Sequence, residues 1–143
     1  MNKNFKKTVC LIIAVLLCLG VCGCGKNQKV QDIWKDATYT EDALLGEGSK
    51  AITVDVVTPD KTVTFTVKTE AETLGEALLE NKLIEGEQGA YGMYIKKVIG
   101  MEADYNKTKT YWAVTKDGEY MSVGVDGEKI SGGEKYELTL TEV

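Results

Sequence analysis

Two sets of side chains in this 143-residue sequence have the type and spacing to do chemistry. The first is aromatic: Tyr91 and Tyr94 flank Gly92-Met93 in a glycine-rich stretch, and Tyr111 stands directly before Trp112. Such rings offer rigid, amphipathic surface, and neighbouring glycines let a ligand come close. Adjacent strand residues face opposite ways, so one of Tyr111 and Trp112 enters the core and the other points outward. Tyr91, Tyr94, Tyr111 and Trp112 are therefore candidate ligand-binding residues, forming an aromatic platform with Met93. The plainer alternative leaves Trp112 in the core and Tyr111 as an ordinary surface ring. The second set is acidic: Asp117 and Glu119, like Asp126 and Glu128, bracket a glycine and could offer oxygens to calcium. Neither pair has the ligand set of a calcium loop with its bidentate glutamate. Solvated turn carboxylates are the better reading, and no metal ligand is assigned.

What is missing narrows the chemistry further. There is no His and no Arg, and all four cysteines (Cys10, Cys18, Cys22, Cys24) fall within the first 24 residues. That removes His-based triads, zinc sites built from His or Cys, arginine phosphate clamps and, beyond residue 24, any thiol nucleophile. Asp55, Glu70 and Glu102 are scattered rather than paired as a glycosidase needs. No catalytic residue and no resident cofactor are expected, and the chain is read as binding rather than transforming. Beyond residue 24 stand 14 lysines against 22 carboxylates, a formal −8. So acidic a surface repels phosphate backbones, and nucleic acid is not an expected partner.

The thiols belong to a distinct segment. Lys3, Lys6 and Lys7 precede an unbroken apolar run at 9–19, followed by Gly20 and Gly23. A cationic start, a short greasy middle and a small-residue exit form a secretory signal, and the run is too short for a mature spanning helix. Its end, Val21-Cys22-Gly23-Cys24, resembles the lipobox of bacterial lipoproteins. The resemblance implies a diacylglyceryl group on the Cys24 sulfur, cleavage after Gly23 and retention on the outer face of the plasma membrane. Leu19-Gly20-Val21-Cys22 is a poorer rival, with Val21 rather than a small residue before the cysteine. Two acyl chains hold a protein at a membrane where one does so only marginally. The expected organisation is a signal peptide at 1–23, a tether and ordered lead-in at 24–50, and a domain at 51–143.

The elements that must position the aromatics follow from periodicity. Residues 51–58 and 63–68 alternate apolar and polar about Pro59-Asp60-Lys61, which predicts an antiparallel hairpin. Thr73 and Glu76 fit a capping box opening a helix at about 73–82, with Leu74, Ala77 and Leu78 on its buried stripe. Three glycines make 85–92 a loop. Strands are expected at 93–99, 110–115, 119–123 around the Asp117-Gly118 turn, and 136–141. In the lead-in, Trp34 or Tyr39 should lie against the domain. One helix after a hairpin, with strands to follow, is α+β; the order suits a β-grasp, a mostly antiparallel sheet with first and last strands paired in parallel and the helix packed on one face.

These stretches resemble the transcobalamin-like C-terminal domain family, found in surface proteins and lipoproteins of Gram-positive bacteria. The resemblance is carried by Thr73-Leu74-Gly75-Glu76-Ala77-Leu78-Leu79, Tyr94-Ile95-Lys96-Lys97-Val98-Ile99-Gly100 and Tyr111-Trp112-Ala113. Asp117-Gly118-Glu119, Gly124 and Gly133-Glu134-Lys135-Tyr136 continue it, over roughly 32–143. It implies the fold of the small β-domain of vitamin B12 carriers, which covers one face of a corrinoid while a larger helical domain supplies the rest of the pocket. Cobalamin or a related corrinoid is then the implied ligand. The chain departs from the family at Val114-Thr115-Lys116-Asp117-Gly118, where an aromatic pair and Asn-Gly are usual. It departs again at Gly132-Gly133-Glu134, where Asp-Gly-Asp is usual. A second expectation, from another class, is a cell-surface module that contacts protein or glycan, or acts as a spacer.

Overall fold

The computed structural model describes residues 33–143, so the signal segment, Cys24 and the start of the tether lie outside the described residues. In chain order the strands begin with β1 (Ala43–Gly46), β2 (Lys50–Val57) and β3 (Thr62–Thr69), followed by helix α1 (Leu74–Glu80). Then come β4 (Ile84–Gly89), β5 (Gly92–Val98), β6 (Met101–Glu102) and the one-turn helix α2 (Tyr105–Thr108). The chain ends with β7 (Thr110–Lys116), β8 (Glu119–Tyr120) and β9 (Lys135–Glu142).

Alternation in β2 and β3 does what period 2 requires. Ile52, Val54 and Val56 stand opposite Val67, Phe65 and Val63, and all six are at most 1 % exposed. β9 lies parallel beside β2, placing Tyr136 and Leu138 on the same buried face, and β7 pairs antiparallel with β9. The result is a six-stranded mixed sheet in the order β1-β3-β2-β9-β7-β8. Helix α1 begins with the capping box: the Glu76 N–H donates to the Thr73 hydroxyl and the Glu76 carboxylate accepts from the Thr73 N–H, both at 3.3 Å. Its Leu74, Ala77 and Leu78 join the core, while Leu79 faces solvent.

The class is mixed α+β; beyond the unexpected short elements β1, β6 and α2, two differences from the sequence reading bear on the site. First, a separate three-stranded antiparallel sheet, β4-β5-β6, stands where a single sheet was expected. Residues 85–89, read as loop, form most of β4. Every residue of β4 after Ile84 is exposed, so no alternation betrays the strand; its backbone ladder to β5 holds it, with ion pairs from Glu85 to Lys97 and from Glu87 to Lys96. Gly86 sits at a bulge where a Cβ would collide with the Tyr94 carbonyl, which is why a glycine-rich stretch can pair here. Second, β8 is only two residues long, and 121–125 leaves the sheet instead of continuing as strand.

The lead-in is part of the folded body. The Trp34 indole N–H donates to the Thr58 hydroxyl at 3.0 Å, and Tyr39 meets Phe65 edge-on with ring centroids 5.4 Å apart. β1 then adds to β3 in parallel, and the Asp42 carboxylate accepts the Thr64 N–H at 2.8 Å.

Candidate functional site

Strand β6 flanks β5 in the smaller sheet. That strand pairs only with Lys97 and Val98, so the Met93–Ile95 stretch of β5 is left facing β7 and the segment 121–125. Between them opens a cleft of about 160 Å³. Its deep side is Trp112, 5 % exposed, whose indole N–H donates to the Met101 carbonyl at 3.3 Å. Val114 lies two residues further along the same face of β7. Met93 and Ile95 form the β5 wall, and Met121 and Val125 the wall opposite. The rim is open: Tyr94 is 45 % and Val123 47 % exposed. The exposed Tyr94 and Val123 side chains, at the mouth of a hollow of mixed polar and apolar lining, are surface that a ligand would cover.

A carboxylate sets the spacing of the walls. Both oxygens of Asp126 lie 3.2 Å from the Met93 N–H, and one accepts from the Gln88 side-chain amide at 3.1 Å. The tip of the β4–β5 hairpin is thereby tied to the segment across the cleft. Glycine suits both sides of this tie: Gly92 has φ +108° and a Cβ there would fall 2.9 Å from the Asp126 oxygen, while a Cβ on Gly124 would fall 3.0 Å from it and press the carboxylate aside. The same segment hangs on the start of α1, where Leu74 and Gly75 donate to the Glu128 and Val125 carbonyls at 2.8 Å. Glu128 also bonds Lys116 Nζ at 2.6 Å and accepts from the Tyr136 hydroxyl at 3.0 Å. Burial first, and the bond to Glu128 second, push the Tyr136 phenol far above its ordinary pKa, so it stays a neutral donor; Glu128 likewise raises Lys116.

The sequence-derived residues separate. Tyr94 and Trp112 meet at the cleft. Tyr91 is 99 % exposed at the hairpin tip between β4 and β5, near Gly124. Tyr111 is half-buried on the other face of β7, so the four rings do not form one platform. Asp126 and Glu128 are engaged clamps rather than solvated turn groups. Met121, Val123 and Val125 were missed as site residues: Met121 and Val123 were expected in a strand at 119–123, whereas all three lie at the cleft in an irregular, glycine-punctuated stretch. Among the described residues no three His, Cys, Asp or Glu side chains gather closely enough to hold a metal ion.

Two sheets, two N-capped helices and a cleft lined by β5, β7 and the 121–125 segment define a small α+β domain. The chain belongs to the family described as a domain of unknown function, DUF4430, which matches residues 71–142. It is similar to a Ruminococcus gnavus protein, described provisionally as metal binding, whose crystal structure was determined at 1.30 Å: 38 % identity, TM-score 0.63, covering 66 % of this chain and 99 % of that one. It is also similar in fold to haptocorrin, solved in complex with Cbi, at 23 % identity and TM-score 0.53, over 65 % of this chain and 25 % of haptocorrin. None of the curated proteins matches the chain.

Proposed function

We propose that this chain is a lipid-anchored, extracytoplasmic binding module of the transcobalamin-like kind, a β-grasp domain that covers one face of a flat, largely apolar small molecule, a corrinoid above all. The observation that carries the reading is the Trp112 cleft, with a buried aromatic at its base and Tyr94, Met121 and Val123 at its rim. The parallel pairing of β2 with β9 supports the β-grasp assignment, and the likeness in fold to haptocorrin, solved with Cbi, supports the ligand class. At about 160 Å³ the cleft is smaller than the roughly 300 Å³ at which ligand pockets begin, so it grips part of a ligand rather than enclosing it. Cys24 fastens the domain to the outer face of the plasma membrane, and the module performs no catalysis.

Of the two tryptophans, Trp34 and Trp112, replacement Trp34→Phe leaves Trp112 as sole reporter. Titration of that variant with cobinamide should quench the Trp112 emission saturably and raise the melting temperature by mass action. Unchanged emission and melting at high cobinamide would count against a corrinoid. Binding of a cell-surface protein or glycan in its place would favour the adhesive alternative.

A further inference from the structure

The mouth of the Trp112 cleft is bounded by two stretches, 88–95 and 120–125, that hold no charged residue, in a chain with 14 lysines and 22 carboxylates beyond residue 24. We propose that this surface docks a second copy of the chain about a two-fold axis, so that two clefts meet mouth to mouth over one ligand. The ligand's part in this rests on the reading of the cleft as a small-molecule site.

The fold brings the two stretches together. The Met93 N–H and the Gln88 amide both reach the Asp126 carboxylate, and a Cβ on Gly124 would stand 3.6 Å from the Tyr91 carbonyl. Residues 88–91, Ser122 and Val123 are exposed there, Tyr91 almost completely. The charges that bracket the stretches are engaged. Glu87 and Lys96 pair at 2.7 Å, Glu119 stands opposite Lys116 across the β7–β8 turn, and Asp126 is turned to the Met93 N–H. Acidic bodies repel wherever their carboxylates come within a Debye length, about 8 Å at physiological salt. An uncharged surface is therefore where two copies can meet. Tyrosine and methionine, here Tyr91, Met93 and Met121, are enriched in such contacts. The tether leaves this surface clear. The lead-in joins the far end of β5, where the Thr38 N–H donates to the Ile99 carbonyl at 2.6 Å, about 20 Å along the strand from its tip.

Size also favours a second copy. One cleft of about 160 Å³ falls short of the roughly 300 Å³ of an ordinary ligand pocket, whereas two facing each other reach it. A two-fold contact needs only one self-complementary patch on the chain. The patch is a handful of side chains, less than the roughly 800 Å² per partner of a stable interface. The pair is accordingly weak alone, and the shared ligand and confinement to one membrane hold it.

The test places single cysteines in the full chain on membranes, where no other thiol stands beyond residue 24. Ala90→Cys and Ser122→Cys lie on the patch. The control is Asp60→Cys, exposed in the β2–β3 turn beside Lys61, whose Nζ lies 5.1 Å from the Trp34 ring of the lead-in. A short bis-maleimide should couple the first two into covalent dimers, severalfold more with cobinamide present, and leave Asp60→Cys monomeric. Tyr91→Asp sets two carboxylates face to face across the axis and should abolish the Ser122→Cys dimer, with the melting temperature unchanged. Titration followed at Trp112 should end at one cobinamide per two chains. Cross-linking at Ala90 and Ser122 no greater than at Asp60, or indifferent to Tyr91→Asp, would overturn the docking surface. Saturation at one cobinamide per chain without dimers removes the second copy and leaves the small-molecule reading standing. Patch-specific dimers with no response to cobinamide remove the corrinoid and leave the docking surface standing. If neither appears, both fall.

Discussion

At the scale of single residues, the cleft depends on side chains that fill it and on one that spaces it. Val123 stands half in water at the rim, so Val123→Asp places a charge at the mouth without opening the core. Cobinamide affinity should fall by about tenfold or more, since a carboxylate against an apolar ligand face is left desolvated; urea titration should show stability nearly unchanged. Asp126→Ala acts differently, because it leaves the Met93 N–H without its acceptor and releases the hairpin tip. Loss of such a bond costs about 1–3 kcal/mol, and exchange of the Met93 amide should quicken against wild type; unaltered exchange would refute the clamp. Of these residues, Trp112 was legible only as one of two adjacent rings of which alternation sends one inward; it did not say which, and the expected platform put Tyr111 beside it, whereas Tyr111 lies on the other face of β7. Asp126 was not readable: its partners are 33 and 38 residues distant, and an acid beside a glycine looks like any turn.

At the scale of elements, local chemistry and long-range pairing divide the fold between them. The α1 capping box was visible as Thr73 and Glu76 because both partners lie within four residues, and Thr73→Ala should cost about 0.5–2 kcal/mol by chemical denaturation. The turn before β9 carries a pH dependence. Glu134 accepts the Ser131 and Gly132 N–H groups at 2.7 and 2.8 Å. Burial alone would raise its pKa, but these N–H donors outweigh it and hold the carboxyl below its ordinary value. The lowered folded pKa contributes stability above the ordinary glutamate range, and that contribution is lost as the pH falls through it. The acid limb of the melting-temperature profile should therefore be shallower in Glu134→Gln; limbs that superimpose would remove this contribution. Strands β1 and β4 were both illegible. In β1 burial alternates, Ala43 and Leu45 half-buried against exposed Leu44 and Gly46, but Ala-Leu-Leu-Gly has no polar partner to make that alternation visible in the sequence; β4 turns nearly all its side chains to water.

At the scale of the whole molecule, an acidic domain is proposed to reach the cell exterior by its signal segment and stay there through Cys24. The lipid contribution is separable from folding: Cys24→Ser should move the protein from membrane to medium, with the melting temperature of the domain unchanged, and membrane retention of that variant would contradict the anchor. The α+β class and its parallel central pair were legible because the apolar periods of β2, β3, α1 and β9 are strong. The cleft was legible only in its rings: β5 was legible as the expected strand at 93–99, but its membership of a second sheet with β4 and β6 was not, because β4 turns nearly all its side chains to water. The most direct test of the central claim reads the cleft walls themselves, using protein labelled at its methionine methyl groups. On titration with cobinamide, the Met93 and Met121 methyl resonances should shift together and saturably while core Met101 stays fixed; no movement of Met93 and Met121 at saturating cobinamide, or movement confined to other sites, would contradict it.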